Sequence, residues 1–334
     1  MRGSRAHARR KHVTWRGEFL RIAARRKRSL ICAALLIAGA LLASPAPLAG
    51  SGTCVVTQTD TCERKGSAKK SRQSKQPKQR ESVDAKQRTL LASAVGRLAP
   101  QRKGITDVYA IGVAAWADED VFVKELDGTI AALAKVLPIE RRVLRLVNGD
   151  DPSGPAPLAT RGNLAAAVHA VGKVMGKDED VMILFMTSHG SRSGFGLQLP
   201  RRPLAELAPR DLASILDGAG IRHRVVIVSA CYSGTFVPPL ANDNTIVITA
   251  ADARNPSFGC APGRDWTYFG DAFFNRSLQP GVDLQRAFND ARLTISAWEL
   301  QDRLSPSNPQ AHFGPALVDK LTPLFAAKAK AGQR

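Results

Sequence analysis

The sequence predicts a three-layer α/β fold, a mostly parallel sheet flanked by helices, from three observations. Continuous apolar runs at 181–187 and 225–230 have strand length and read as strands buried on both faces. Each run stops on a small, turn-prone stretch, Ser188-His189-Gly190 in one case and Cys231-Tyr232-Ser233-Gly234 in the other. From residue 107 onward, segments of helical spacing alternate with the strands, the pattern of a doubly wound parallel sheet.

The elements follow in order. A short helical pattern at 89–98 opens the ordered part, and 108–113 is the first strand. Residues 121–136 have helical spacing, and 142–147 form the second strand, closed by Asn148-Gly149-Asp150-Asp151. Thr160 is placed to cap a helix running to Met175. The third strand is 181–187, with a short one at 196–199. Pro209-Arg210-Asp211 starts a helix that ends at Gly218-Ala219-Gly220. Strands at 225–230 and 245–250 and an amphipathic helix at 282–300 complete the pattern, with no internal repeat.

The formal charge of +19 suggests a nucleic-acid binder until it is divided along the chain. Residues 1–104 hold 24 Lys and Arg against 5 acids, whereas 105–334 hold 24 of each. The basicity therefore belongs to the N-terminal tail, and no specific nucleic-acid partner is expected. Residues 1–28 contain 11 Lys or Arg and one acid, and 29–59 carry no charge. The apolar stretch 29–49 reads as a signal peptide or a membrane anchor. The Arg-rich flank predicts a cytoplasmic N-terminus and an exported remainder, either anchored in the inner membrane or periplasmic after cleavage. Residues 50–104 read as a basic, largely disordered linker, and 105–325 as the folded domain.

Of the five cysteines, Cys32 falls in the apolar segment, and Cys54 and Cys62 just past it are spaced for a small disulfide loop. Cys231 and Cys260 remain. A bond between them would remove Cys231 from chemistry.

His189 and Cys231 lie 42 positions apart, each just past a buried strand. The carboxyl edge of a parallel sheet is where such folds place their sites. A thiol beside an imidazole forms a nucleophile and its base. Gly190 offers a backbone N–H with no side chain in the way, and the turn after Cys231 offers others. Two such donors make an oxyanion hole, so the set suits acyl transfer. This chemistry requires neither metal nor cofactor. The cysteines lack zinc-site spacing, and no phosphate-binding glycine loop is present.

The motifs His189-Gly190 and Ala230-Cys231-Tyr232-Ser233-Gly234, each after an apolar strand, resemble the legumain-type asparaginyl endopeptidases, members of the caspase-like cysteine peptidases. The likeness continues through Thr249-Ala250-Ala251-Asp252-Ala253-Arg254-Asn255-Pro256-Ser257-Phe258-Gly259-Cys260 and Thr267-Tyr268-Phe269-Gly270-Asp271, and points to a bacterial, membrane-anchored branch. It implies a caspase/legumain-like fold and a cysteine endopeptidase. Cys231 would be the nucleophile, His189 the general base and acid, and Gly190 an oxyanion donor. In the family an Asn two residues after a Trp orients the histidine, and here Trp116-Ala117-Asp118 puts Asp118 there. Asp118 also reads as a cap of the helix near Val121.

The family's pocket for Asn uses an Arg, a Glu two residues before the Cys, and an Asp after Gly. This sequence keeps Asp271 after Gly270, and Ser257 near the pocket. Ser229 replaces the Glu, and Asp120 stands near the Arg position. With no compensating Arg, Asp271 and Asp120 would favour a basic residue or Asn before the cleaved bond. The expected partner is a protein or peptide substrate. Transpeptidation would use the same residues, a silent peptide-binding scaffold the same cleft, and an anionic-surface binder the tail. The oligomeric state is left open.

Overall fold

The strands that read as unbroken apolar runs occupy the middle of one sheet, because each must bury both faces. The computed structural model describes residues 76–149 and 154–331. The described chain begins with α1 (Gln76–Gly96), β1 (Val108–Ala114), α2 (Val121–Val136), β2 (Val143–Val147), α3 (Arg161–Val174) and β3 (Val181–Thr187). It continues through a hairpin, β4 (Gln198–Leu199) and β5 (Arg202–Pro203), then α4 (Pro209–Gly218), β6 (Arg224–Ser229), α5 (Val237–Leu240) and β7 (Thr245–Thr249). Last come α6 (Tyr268–Gly270), running into a π-helical segment (Asp271–Ser277), then α7 (Leu284–Gln301), β8 (Gln310–Phe313) and α8 (Pro315–Ala331).

Six strands lie in the order β2-β1-β3-β6-β7-β8. The first five are parallel and β8 closes the edge antiparallel to β7. Side chains alternate between two cores, as the two-residue period of a strand requires. On β1, Val108 and Ala110 face the layer that contains Phe122, Leu126, Phe273, Phe288 and Leu321. Tyr109, Ile111 and Val113 face the layer that contains Leu91, Leu164, Val168 and Leu212. This is the predicted three-layer arrangement of a mostly parallel sheet flanked by helices.

The capping prediction holds at Thr160, whose side chain accepts from the Asn163 N–H. Helix α4 ends at Gly218, with Gly220 beyond it at φ +67°. Three features differ from expectation. Residues 76–90, read as part of a disordered linker, belong to α1. That helix gains its stability from docking: Leu91 and Ala94, with Leu98 just past its end, join the core, and the Gln87 side-chain oxygen Oε1 accepts from the Leu158 N–H and from Asn163 Nδ2. β8 and α8 were not foreseen. Both are held by tertiary contacts, β8 by its ladder with β7 and α8 through the buried Leu317, Leu321 and Phe325.

The segments 1–28 and 29–49, with Cys32, Cys54 and Cys62, lie outside the described residues, as do Asp150 and Asp151. Among the described residues no helix is long and apolar enough to cross a membrane.

β1 connects leftward to β2 while β3 lies on its other side, so the order reverses between β1 and β3. A crevice at such a reversal opens at the carboxyl ends of the strands. β1, β3 and β6 end level there, with Ala114 paired to Thr187 and Thr187 to Ser229.

Candidate active site

Two residues beyond that level stand His189 and Cys231. Because Thr187 and Ser229 are register partners, the two side chains leave neighbouring strands at the same height. Gly190 makes the approach closer still. A Cβ at Gly190 would collide with the Cys231 carbonyl oxygen and press on Ala230, so only glycine fits.

The imidazole of His189 is one-third exposed and its ring is fixed on three sides. Trp116 and Phe122 meet it edge-on, with centroids 4.7 and 5.2 Å away. Nε2 lies 2.9 Å from Glu119 Oε1. Glu119 is mostly buried, and its other oxygen, Oε2, is shielded from solvent without a hydrogen-bond partner. With Nε2 committed to Glu119, Nδ1 is the nitrogen left for proton transfer.

Asp118 does not hold the histidine. Its carboxylate accepts from Gln198 Nε2 and from the Arg201 N–H at 3.3 Å, so it ties the turn after β1 to the β4–β5 hairpin. The reason is local geometry. Trp116 bridges to Gln198, and the Ala117 N–H donates to the Gln198 carbonyl. This draws Asp118 to the hairpin and leaves Glu119 to turn under the imidazole. Nor does Asp118 cap the helix, since the N-cap of α2 is Asp120, which makes no capping hydrogen bond with its side chain.

Cys231 sits on a tight turn. Tyr232 adopts φ +56°, unusual for a residue with a side chain. It is held by its N–H to the Asn255 carbonyl at 3.0 Å and by Thr235 Oγ1 on its own carbonyl at 3.0 Å. The thiol packs against Ser257: the Ser257 N–H donates to Sγ at 3.3 Å, and the Ser257 carbonyl and hydroxyl oxygens lie 3.5 and 3.7 Å from it. The sulfur thus rests on Ser257, with no hydrogen bond to the imidazole in the free protein. The loop that presents Ser257 is folded by Asp252, which accepts from the N–H groups of Arg254 and Asn255 and from Asn255 Nδ2.

Backbone donors are available. Gly190 and Phe195 form an antiparallel bridge in which the flanking residues make the hydrogen bonds, Gly196 N–H to His189 O and Ser191 N–H to Gly194 O. The Gly190 N–H therefore points away from that ladder. Among the described residues neither the Gly190 nor the Cys231 N–H donates to a backbone carbonyl.

The expected pocket residues fare differently. Ser257 is at the thiol. Ser229 is buried, and its hydroxyl is bonded to Glu125 at 3.2 Å and lies 3.3 Å from Thr267 Oγ1, so it does not line an open pocket. Asp271 is compensated: Arg276 Nη2 lies 3.1 Å away and Asn275 Nδ2 donates at 2.8 Å. Asp120 pairs with Lys124 at 2.8 Å and accepts from the Gly263 N–H. The expectation of acids without a counter-charge is thereby corrected, because helical spacing brings a cation to each, four residues on for Asp120 and five for Asp271. Cys260 is a free thiol, as is Cys231, so no disulfide joins them. Burial pushes the Cys260 thiol up, reinforced by Cys231, Glu125 and Glu119 nearby.

Sequence reasoning missed Glu119 and Glu125. Nothing in the run Asp118-Glu119-Asp120 ranks one acid above the next. Glu125 did leave a trace, an acid on the stripe of α2 that buries Val121, Phe122, Leu126, Thr129, Leu133 and Val136. It is fully buried, and burial pushes its carboxyl up to about 7 against the opposing hydroxyl donors of Thr187, Thr267 and Ser229.

Residues 159–315 match the model of the Peptidase C13 family. Over those residues the chain is similar to the Peptidase C13 family. This is the family of legumain-type peptidases, so the protein is a cysteine-type peptidase. The matched segment contains His189, Gly190, Cys231, Ser257 and Asp271, while Glu119 and Glu125 precede it. No curated protein matches the chain in sequence. Among solved structures, caspase-1 from Spodoptera frugiperda aligns with a TM-score of 0.43 at 10% identity, covering 65% of this chain and 93% of that chain.

Proposed function

We propose that this protein is an endopeptidase working through Cys231 and His189. The single observation that supports the reading is the level ending of β3 and β6, from which the chain continues two residues to His189 on one strand and two to Cys231 on its neighbour. The Cys231 sulfur attacks the scissile carbonyl, a C–S bond forms, and the oxygen becomes an oxyanion that accepts from the Gly190 and Cys231 N–H groups. His189 takes the thiol proton at Nδ1 and delivers it to the leaving amine as the C–N bond breaks, leaving a thioester. Water, deprotonated by His189, then releases the acid and restores the thiol. Glu119 is a positioning residue that holds the ring and balances the imidazolium charge.

For the residue before the cleaved bond, Asn or a basic side chain was expected. The counter-ions now favour Asn. Asp271 with Arg276, and Asp120 with Lys124, leave no acid free for a further cation. A carboxylate already paired with a cation still accepts from an amide N–H, and the cation can donate to the amide carbonyl.

The Arg-rich segment 1–28 and the apolar segment 29–49 support a place at the inner membrane with the peptidase domain on the outer side. Fractionation of cells with a tagged chain, with and without 1–49, tests this. The enzymatic reading is tested by incubating the protein with a peptide library under reducing conditions beside Cys231→Ala. Cleavage by the wild type alone supports it. Equal cleavage by both overturns it, and binding without cleavage by either would favour a scaffold.

A further inference from the structure

Beneath the two strand ends, four elements converge on one carboxyl group. Glu125 of α2 is fully buried. Its Oε2 accepts from the hydroxyl of Thr187, the last residue of β3. Its Oε1 accepts from Thr267, the N-cap of α6, at 2.6 Å, and Ser229, the last residue of β6, reaches both oxygens at 3.2 and 3.4 Å. Thr267 Oγ1 also accepts from the Gly270 N–H. A Cβ at Gly270 would overlap Glu125 Oε1, so the turn into α6 closes directly on the carboxyl.

The spacing gives this cluster its significance. Thr187 is two residues before His189, and Ser229 two before Cys231. Thr187 and Ser229 are the last residues of β3 and β6, so the hydroxyls that Glu125 gathers close the two strands from which the chain continues to His189 and Cys231. One carboxyl thereby bonds both strands that carry the reacting side chains, and the turn that precedes Asp271. No cation balances it among these partners, which are hydroxyls and a backbone N–H. Burial, then the charges of Cys231, Glu125 and Glu119, raise the Cys260 thiol on the loop before α6. Burial of an unbalanced acid at this position costs stability, and a buried Thr-Ser-Thr set needs no carboxyl to be satisfied.

We infer that Glu125 is a positioning residue of the peptidase, which sets the height of His189 against Cys231 by bonding Thr187 and Ser229 at once. The inference rests on the assignment of those two residues as the reacting pair. Burial raises this carboxyl to about 7. An ionised carboxylate can accept from all three hydroxyls, whereas a protonated one must donate through one oxygen, so the protonation state reaches the site through hydrogen-bond direction.

The test uses the full chain and compares wild type, Glu125→Gln, Ser229→Ala, Cys231→Ala and His189→Ala. The readouts are kcat and KM on a cleaved peptide, the rate of Cys231 alkylation by iodoacetamide between pH 5 and 9, and thermal stability. The expected result is a fall in kcat of about 10-fold or more for Glu125→Gln, as misplacement of reacting groups produces, with KM nearly unchanged. The limb near neutral pH should vanish from its alkylation profile. Ser229→Ala, which keeps the carboxyl and removes one bond, should lower kcat less and keep the limb. If Glu125→Gln keeps both kcat and the limb and changes only stability, the inference is overturned. If Glu125→Gln does not fold, Ser229→Ala decides: an unchanged kcat overturns the inference and a lowered one supports it. If Cys231→Ala or His189→Ala still cleaves at the wild-type rate, the assignment of the pair has failed instead, whatever Glu125→Gln does.

Discussion

Glu119 Oε1 lies 2.9 Å from Nε2 of His189, while the neighbouring Asp118 turns to Gln198 and Arg201 in the β4–β5 hairpin. Two adjacent acids thus have separate tasks, one at the imidazole and one in the scaffold. The sequence motif pointed to the second of them.

The division predicts unequal effects. Glu119→Ala should lower kcat by about 100-fold, because the ring loses the contact that fixes its orientation. Glu119→Gln should recover part of that loss, since an amide oxygen still accepts from Nε2–H but does not balance the imidazolium. Asp118→Asn should keep kcat near wild type. Steady-state kinetics on one peptide measure all three, and a larger loss for Asp118→Asn than for Glu119→Ala would return the orienting role to Asp118.

Gly190 is the position where a single methyl group should disable the site. The added Cβ of Gly190→Ala would meet the Cys231 carbonyl oxygen. The strand ends must then separate, and the Gly190 N–H leaves its place. Loss of one oxyanion donor alone costs about 10²–10³ in kcat, so a fall of that order is expected. A variant with normal kcat would show that this N–H takes no part.

Glu125 also makes stability depend on pH. Its folded-state carboxyl is raised from 4.5 to about 7, burial being the largest cause. The folded chain therefore holds a proton that the unfolded chain has lost between those values. The contribution is fully present below about 4.5 and is lost as pH rises through about 7, an effect on the order of 3 kcal/mol. Urea denaturation of Glu125→Gln at a series of pH values should show a flatter profile than wild type in that window. Parallel profiles would contradict the buried titration.

The paired acids predict the substrate preference. A fluorogenic panel varied at the residue before the cleaved bond should be cleaved fastest after Asn, and more slowly after Lys or Arg. Arg276→Ala, which frees Asp271, should raise the basic substrates relative to Asn. Cleavage confined to Asp or apolar residues would exclude both preferences.

Much of this arrangement is legible in the sequence. β3 and β6 carry unbroken apolar runs at 181–186 and 225–228, which only a doubly covered strand tolerates, so the level of His189 and Cys231 followed from where the runs stop. The small residues beside them, Gly190 and Ser233-Gly234, marked the turns. What escaped depends on contacts between distant segments. The choice of Glu119 over Asp118 is made by the bridge from Trp116 to Gln198, some eighty residues apart in sequence. Residues 76–90 are rich in Lys and Gln and look unable to fold, yet Gln87 and Leu91 dock the helix onto the α3 layer. β8 is only four residues long and half-buried, and a Pro lies inside α8, so neither carried a local signal. Glu125 carried one, a lone acid on a buried helical stripe, and its meaning emerged only when Thr187, Ser229 and Thr267 came around it.

The central claim is that Cys231 is the nucleophile, with His189 as its proton partner. The most direct measurement is mass spectrometry of the intact protein after treatment with a peptide carrying a thiol-reactive group, in wild type, His189→Ala and Cys231→Ala. The account predicts one adduct, on Cys231, that forms more slowly in His189→Ala and is absent from Cys231→Ala, with Cys260 unmodified. An adduct on Cys260 in place of Cys231, or labelling at the same rate without His189, would contradict it.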